Sequence, residues 1–302
     1  MIARAPGKLL LSGSYVVLDG APALVTAVDR FATADGDRSA ALCTDEVRAA
    51  LDAGVAPGAA PPWFDAAALR AATADGDRKL GLGSSAAILA ASLGALLPRL
   101  ASEDEEAWRA RLYPLALAAH RRAQGGGSGV DVAASVFGGT LRCQASPAGL
   151  EARAHPLPHG LQVGGLRARC LGEHGGAAAR AGRAAEPARA DAALRAAAAG
   201  AHAAAAACDG GARRGIDAQH VALATLAPEV PVVLPELALL RRHARDEGAT
   251  MAPSGAGGED AVSIFVGAAP SSRALRGAAE AAGLMRLDLH IGARGLHRAA
   301  PG

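Results

Sequence analysis

Four short stretches of this 302-residue chain combine glycine with a cation, a hydroxyl or a carboxylate. The first, Arg4-Ala5-Pro6-Gly7-Lys8, runs into an apolar segment. A lone lysine is usually a solvated charge. Here Pro6-Gly7 stiffens the approach, and Lys8 stands at the mouth of a strand, where a fixed cation can sit beside a reacting hydroxyl or phosphate. The second is Gly81-Leu82-Gly83-Ser84-Ser85-Ala86-Ala87, followed by a long apolar run. Its glycines allow a tight turn and close backbone approach. The helix that follows would aim its unpaired N–H groups at an anion such as a triphosphate, and a serine hydroxyl could ligate Mg²⁺. An ordinary helix start after a tight turn is the plainer reading.

The third stretch, Gly127-Ser128-Gly129-Val130-Asp131, places a carboxylate just after a glycine turn. Such an aspartate is most often a helix cap, but it can also accept or orient the proton of an attacking hydroxyl. The fourth is Pro253-Ser254-Gly255-Ala256-Gly257-Gly258-Glu259-Asp260, ahead of the apolar run Ala261–Val266. A glycine loop between helix and strand is often only a connection. One this dense also lets a second ligand approach the backbone.

Two rival phosphate motifs fail on these residues. No GxxxxGK[ST] occurs. Gly81-x-Gly83-x-x-Ala86 fits a loose dinucleotide fingerprint, but that motif needs a preceding strand, and residues 71–80 are too polar to promise one. About twenty residues on, Glu103 and Asp104 fall after Pro98, where a helix starts rather than a strand ends.

The elements that must position these groups read as follows. Residues 9–18 and 23–28 are Leu- and Val-rich and flank Asp19-Gly20, which predicts paired strands across a turn. Residues 32–80 are mixed, with Pro61-Pro62 marking a loop. A helix is expected from the 81–85 loop to about Leu97. Ser102 before Glu105 resembles a capping box opening a helix over 103–123. Asp131 leads another helical stretch, and 137–170 holds short strands. The Ala/Arg/Gly-rich tract 172–213 is helical near 187–208. Helices follow at 235–247 and 271–283, with strands at 261–266 and 284–290. The mixture predicts an α+β fold, with a domain boundary near 155.

Composition narrows the function classes. Hydrophobic residues make up 51% of the chain, enough for a sizeable core, while aromatics are only 3%. The 31 basic and 29 acidic residues nearly balance, without a basic stripe, so no nucleic-acid partner is expected. Cys43, Cys143, Cys170 and Cys208 are scattered and form no CxxC pair, which suits reduced thiols in a cytoplasmic protein. No HExxH is present, and prolines separate His155 from His159. The longest apolar run, near 86–97, falls short of the ~20 residues of a membrane span. Pro6, Gly7 and Lys8 stand where a signal peptide would be apolar. No membrane partner is expected.

Taken in order, the segments 5–20, 81–87, 127–139 and 253–265 resemble the GHMP kinases. Within that superfamily the stretch Ala119-His120-Arg121-Arg122-Ala123-Gln124-Gly125, the Gly127–Ala134 segment and the tail Gly283–Leu289 are most similar to the phosphomevalonate kinases. The resemblance implies a ribosomal-S5-like N-terminal domain over 1–155 and a ferredoxin-like C-terminal domain over 156–302, with the active site between them. It implies ATP and Mg²⁺ as cofactors and a small-molecule acceptor such as 5-phosphomevalonate in isoprenoid precursor synthesis. Mevalonate, homoserine or sugar kinase activity, and a catalytically weak binding protein, remain the alternatives. A homodimer is compatible with the sequence.

Carried over residue by residue, the resemblance gives Gly81, Leu82, Gly83, Ser84, Ser85 and Ala86 to the ATP phosphates, with Ser85 on the metal. Lys8 and Asp131 become the catalytic pair. Lys8, Tyr15, Ser128, Gly129, Asp131, Ser254, Gly255, Ala256 and Gly257 would meet the substrate. The chain departs from the pattern at Ala252, where such kinases often carry lysine, and at Glu259, in place of a third glycine. Gly125-Gly126-Gly127 is one residue short and lacks an expected lysine, and 171–181 lacks a Ser/Thr substrate loop. Arg121, Arg122, Arg142 and Arg180 are the cations available to compensate.

Overall fold

The computed structural model describes residues 1–73, 76–147, 149–158, 161–168, 187–207, 211–225, 235–255, 262–268 and 270–299. Strands β1 (Ile2–Ser12) and β2 (Ala23–Ser39) pair antiparallel along almost their whole length. They form the middle of a six-stranded sheet ordered β12-β1-β2-β6-β7, where β6 is Thr140–Ser146, β7 is Gly149–Ala154 and β12 is His297–Arg298. Beyond the reach of β6, β3 (Pro62–Asp65) takes over the far end of β2. Residues 62–65, expected in a loop, are therefore a strand.

The strands predicted on either side of Asp19-Gly20 do pair, but the first ends six residues earlier than expected. β1 stops at Ser12, and residues Val16–Asp19 make a 3-10 turn closed by Gly20 in the left-handed region. Gly13 ends the strand at φ 96°, where a Cβ would lie 2.4 Å from Ala23. Only glycine lets the chain turn there.

Helix α2 (Ser84–Leu96) lies across β1 and β2, while α1 (Asp45–Asp52) packs beside it. Apolar on all sides, α2 is buried on nearly every residue, as such a helix must be. Its alanines and Gly94 allow close contact: a Cβ on Gly94 would lie 2.7 Å from Leu296. Helix α3 (Glu105–Gln124) adds Trp108 and Leu112 to the same core, and the Trp108 indole donates to the Leu97 carbonyl at 2.8 Å. Its cap is Asp104, whose carboxylate accepts from Ala107 N at 2.8 Å, rather than the expected Ser102. Helix α4 (Val130–Phe137) follows a glycine turn and packs against β1, α2 and α3.

The second sheet is ordered β11-β8-β10-β9, with β8 Gln162–Ala168, β9 Thr250–Pro253, β10 Ser263–Gly267 and β11 Leu284–Leu287. One face carries α7 (Pro235–Asp246) and α8 (Arg273–Ala281) over a core of Leu240, Met251, Phe265, Leu275 and Leu284. Helices α5 (Pro187–Ala206) and α6 (Gly211–Leu223) cross tightly, because Gly200 and Gly215 face the partner backbone where any Cβ would collide. The segment before α2, read as too polar for a strand, forms a two-stranded ribbon of β4 (Arg70–Thr73) and β5 (Gly76–Lys79). Among the described residues the ribbon pairs only with itself, as a dinucleotide-binding strand would not. The fold is α+β.

Candidate active site

β1, the 81–83 turn and α4 meet at one point. The Lys8 N–H donates to the Leu82 carbonyl at 2.8 Å, tying the turn to the strand. Gly81 and Gly83 both have positive φ, 72° and 75°. At Gly83 a Cβ would press on Lys8 Cγ at 3.1 Å and lie 3.7 Å from Asp131 Cβ. The glycine therefore does two jobs: it allows the turn, and it leaves room for the lysine and the aspartate to lie against the start of α2.

No side chain caps α2, and its first turn has no acid. Its first N–H groups open onto Ser84, which is buried, and Ser85, which is half-buried; Ala86 is part of the core. An anion is the complement of such an end. The turn from the second sheet arrives from the other side. Ser254 Oγ accepts from Leu10 N at 2.8 Å, and a Cβ on Gly255 would lie 4.0 Å from Lys8 Nζ. Lys8, Gly83, Asp131 and Gly255 thus converge. Ala256, Gly257, Gly258, Glu259 and Asp260 lie outside the described residues, as do Arg180 and the 171–181 segment.

Asp131 occupies the first turn of α4 behind Gly129, a glycine at φ 79°. Its neighbour on the protein side is His120, absent from the residues singled out in the sequence. His120 Nε2 lies 3.3 Å from Asp131 Oδ2, with the imidazole only 2% exposed and the carboxylate 24%. Burial alone would raise the Asp131 pKa, but the His120 hydrogen bond and the charges of His120 and Lys8 outweigh it and hold the carboxyl below its usual range. Burial works against His120 as well, yet Asp131 and then Glu46 push its pKa up. Lys8 moves the other way: burial lowers it, with Asp131 opposing. The result is one carboxylate coupled to an imidazole on one side and an amine on the other. His120 was legible only as a motif letter, because nothing in sequence says that residues 120 and 131 meet across a glycine turn.

The other expected contacts divide. Ser128 Oγ accepts from Val130 N at 3.5 Å, at the turn into α4. Tyr15 has φ 64° and packs with Val16, Ala21 and Leu194 against α5. Arg121 donates to the Ser128 carbonyl at 3.3 Å, beside the turn that carries Asp131. Arg142 is spent on Gln144, at 2.7 Å, and Arg122 is exposed.

Among the described residues no three His, Cys, Asp or Glu side chains cluster to hold a metal. The hydroxyl and carboxylate oxygens present suit a hard ion that keeps most of its ligands from water and phosphate, which is the habit of Mg²⁺. No helix among the described residues is long and apolar enough to cross a membrane.

Comparison with known proteins gives the same frame. Residues 69–139 match the model of the GHMP kinases N terminal domain. The chain is similar to the crystal structure of a Lin0012 protein from Listeria innocua, with 19% identity, 99% of each chain covered and a TM-score of 0.75. It is also similar to Streptococcus pneumoniae phosphomevalonate kinase in complex with phosphomevalonate and AMPPNP, with 17% identity, 96% of this chain and 99% of that one covered, and a TM-score of 0.71. L. major mevalonate kinase in complex with R-mevalonate follows at 16% identity, 94% of each chain covered and a TM-score of 0.60. No curated protein matches the sequence. Residues 69–139 thus match that family model, and the chain as a whole has the fold of these solved structures.

Proposed function

We propose that this chain is an ATP- and Mg²⁺-dependent phosphotransferase acting on a small molecule, and that its acceptor is 5-phosphomevalonate, converted to 5-diphosphomevalonate. The observation that carries the phosphotransferase reading is the convergence of Lys8, Gly83 and Asp131 at the uncapped start of α2. The turn at 81–85 would hold the ATP phosphates through backbone N–H groups. Ser85, with the phosphates, would hold Mg²⁺, which when bound neutralises charge on the transferring group.

Phosphoryl transfer asks the protein for position and charge rather than covalent chemistry. An acceptor oxygen would attack the γ-phosphorus in line, its bond forming as the bond to the ADP oxygen breaks. Lys8 lies where it can stabilise charge on the moving group. Asp131, whose carboxyl His120 and Lys8 hold below its usual range, is a weaker base than an ordinary carboxylate and serves to orient the reacting groups rather than to take a proton. That arrangement favours an acceptor that brings its own ionised nucleophile. A phosphate monoester does so, since its second pKa is about 6. A free alcohol would need a stronger base. The similarity to phosphomevalonate kinase supports the same choice.

The test is ADP release by the purified protein with Mg-ATP and, separately, 5-phosphomevalonate, mevalonate, homoserine and a set of sugars. Turnover with phosphomevalonate alone is expected. Turnover only with an alcohol overturns the acceptor, and AMPPNP binding without turnover on any acceptor overturns the enzyme reading in favour of a binding protein.

A further inference from the structure

β8 carries two adjacent glycines in mid-strand, Gly164 and Gly165, and the structure explains only one of them. Strand glycine weakens a sheet and often marks a bulge or a place where something approaches closely. A Cβ on Gly165 would meet Leu289 at 3.0 Å and Val262 at 3.4 Å, so close packing requires that glycine. A Cβ on Gly164 would meet nothing within 4 Å. Its face is the one shared with Phe265, its direct partner on β10, and covered by α8.

The space left there is a cavity of about 150 Å³ between β8, β10, β11 and α8. Phe265, Leu275 and Ala279 supply its apolar wall, and Arg276 and Arg286 stand at it. No aspartate or glutamate lines it. Arg276 donates to the Ser271 carbonyl, and neither arginine makes an ion pair with a described residue. The space is partly open to solvent, and a cavity of about 150 Å³ holds a molecule of benzene's bulk. Guanidinium groups at a cavity that no described carboxylate lines are suited to an anion. None of the lining residues belongs to the site at Lys8 and Asp131.

The geometry points to a second binding site, in the α8-covered face of the second sheet, for a small anion carrying a compact apolar group. The carboxylate or phosphate meets Arg276 and Arg286, and the apolar body occupies the space above Gly164. The site stands apart from the phosphoryl-transfer reading and does not depend on it.

Phenyl phosphate and benzoate are the anionic probes, benzyl alcohol the neutral one, with binding followed by calorimetry and ligand-observed NMR in the presence and absence of AMPPNP. The two anions are expected to bind one saturable site with AMPPNP present, at least tenfold tighter than benzyl alcohol. Gly164→Val, which fills the cavity, abolishes this binding. The double variant Arg276→Gln/Arg286→Gln weakens the anions at least tenfold and leaves benzyl alcohol unchanged. Should Gly164→Val fail to fold, Gly164→Ala and the arginine variant carry the test. The inference is overturned by absence of saturable binding at millimolar probe, by equal affinity for benzyl alcohol, by displacement with AMPPNP, or by affinity unchanged in the variants.

Discussion

Helices α2 and α4 start with the same device and end with opposite electrostatics. Each follows a glycine in the left-handed region, Gly83 at φ 75° and Gly129 at φ 79°, and neither has a side-chain cap. In α4 the first turn contains Asp131, so the positive end of the helix already has its anion. In α2 the first turn offers Ser84 and Ser85 and no acid, so that end awaits one. Lys8 lies between the two starts, against both Gly83 and Asp131. The lesson is that a glycine turn before a helix says little by itself. What occupies the first turn decides whether the helix start is a finished piece of structure or a receptor.

The contrast is most exposed to failure at Asp131. With phosphomevalonate and Mg-ATP, Asp131→Asn should lower kcat by a factor on the order of 10³, while AMPPNP affinity stays within a few-fold. Turnover close to that of the unaltered protein would remove Asp131 from the chemistry.

The two glycines give the next largest effect. Forcing alanine into a left-handed conformation costs roughly 1–2 kcal/mol at either site. At Gly129 the new Cβ would also fall 2.1 Å from Leu117 Cδ1, deep in the core, whereas at Gly83 its nearest neighbour is Lys8 at 3.1 Å. Gly129→Ala should thus show the greater drop in melting temperature, and Gly83→Ala the greater loss of kcat/KM for its drop. Equal ratios of activity loss to stability loss would mean that the two starts are not functionally distinct.

His120 sharpens the α4 side through pH. Its pKa is raised, so its stabilisation is fully present below the ordinary value of 6.5 and is lost as pH rises through the raised one. Asp131 is depressed, so its share is present above 3.8 and lost as pH falls through its lowered value. The melting difference between the unaltered protein and His120→Gln should be largest between those two ordinary values and shrink above them, by a few degrees in all. A difference independent of pH would show that the imidazole only fills space.

Helix α3 is the control, a start capped by its own side chain. Asp104→Ala should cost about 1 kcal/mol and leave kcat unchanged, as read from melting and ADP release. A fall in kcat would mean that any disturbed helix start reaches the site.

Much of this was legible in the chain. The 81–87 loop and the helix after it stand out because glycine, hydroxyls and a long apolar run follow one another without interruption. α3 falls where the capping-box pattern at Ser102 and Glu105 placed a helix, and α8 lies within the one expected over 271–283. The turn at Asp19-Gly20 and the pairing around it were legible, but the end of the first strand was not, because it depends on Gly13 passing Ala23, a contact made only in the folded chain. The strand at 62–65 hid behind Pro61-Pro62: it is an edge strand against the far end of β2, where proline is tolerated. His120 stood in a family motif without a role, since a histidine among alanines on a helix looks like core until its partner across the turn is known. Ser254 bonding to Leu10 joins positions far apart in sequence, which spacing cannot reveal.

The first sheet has one further strand whose origin matters. Ala3 and Arg4 pair with Arg298 and His297, while Leu296 packs on Gly94 and its carbonyl receives Arg109 at 2.7 Å. The chain leaves the first sheet, builds the second, and comes back to close the first. A ribosome adding roughly 5–20 residues each second would hold β1 and the crevice beside α2 unsealed for many seconds while the second sheet is made. Pairings this distant also slow folding itself. The nascent chain therefore carries β1 with one edge unpaired until residues 297 and 298 have been made.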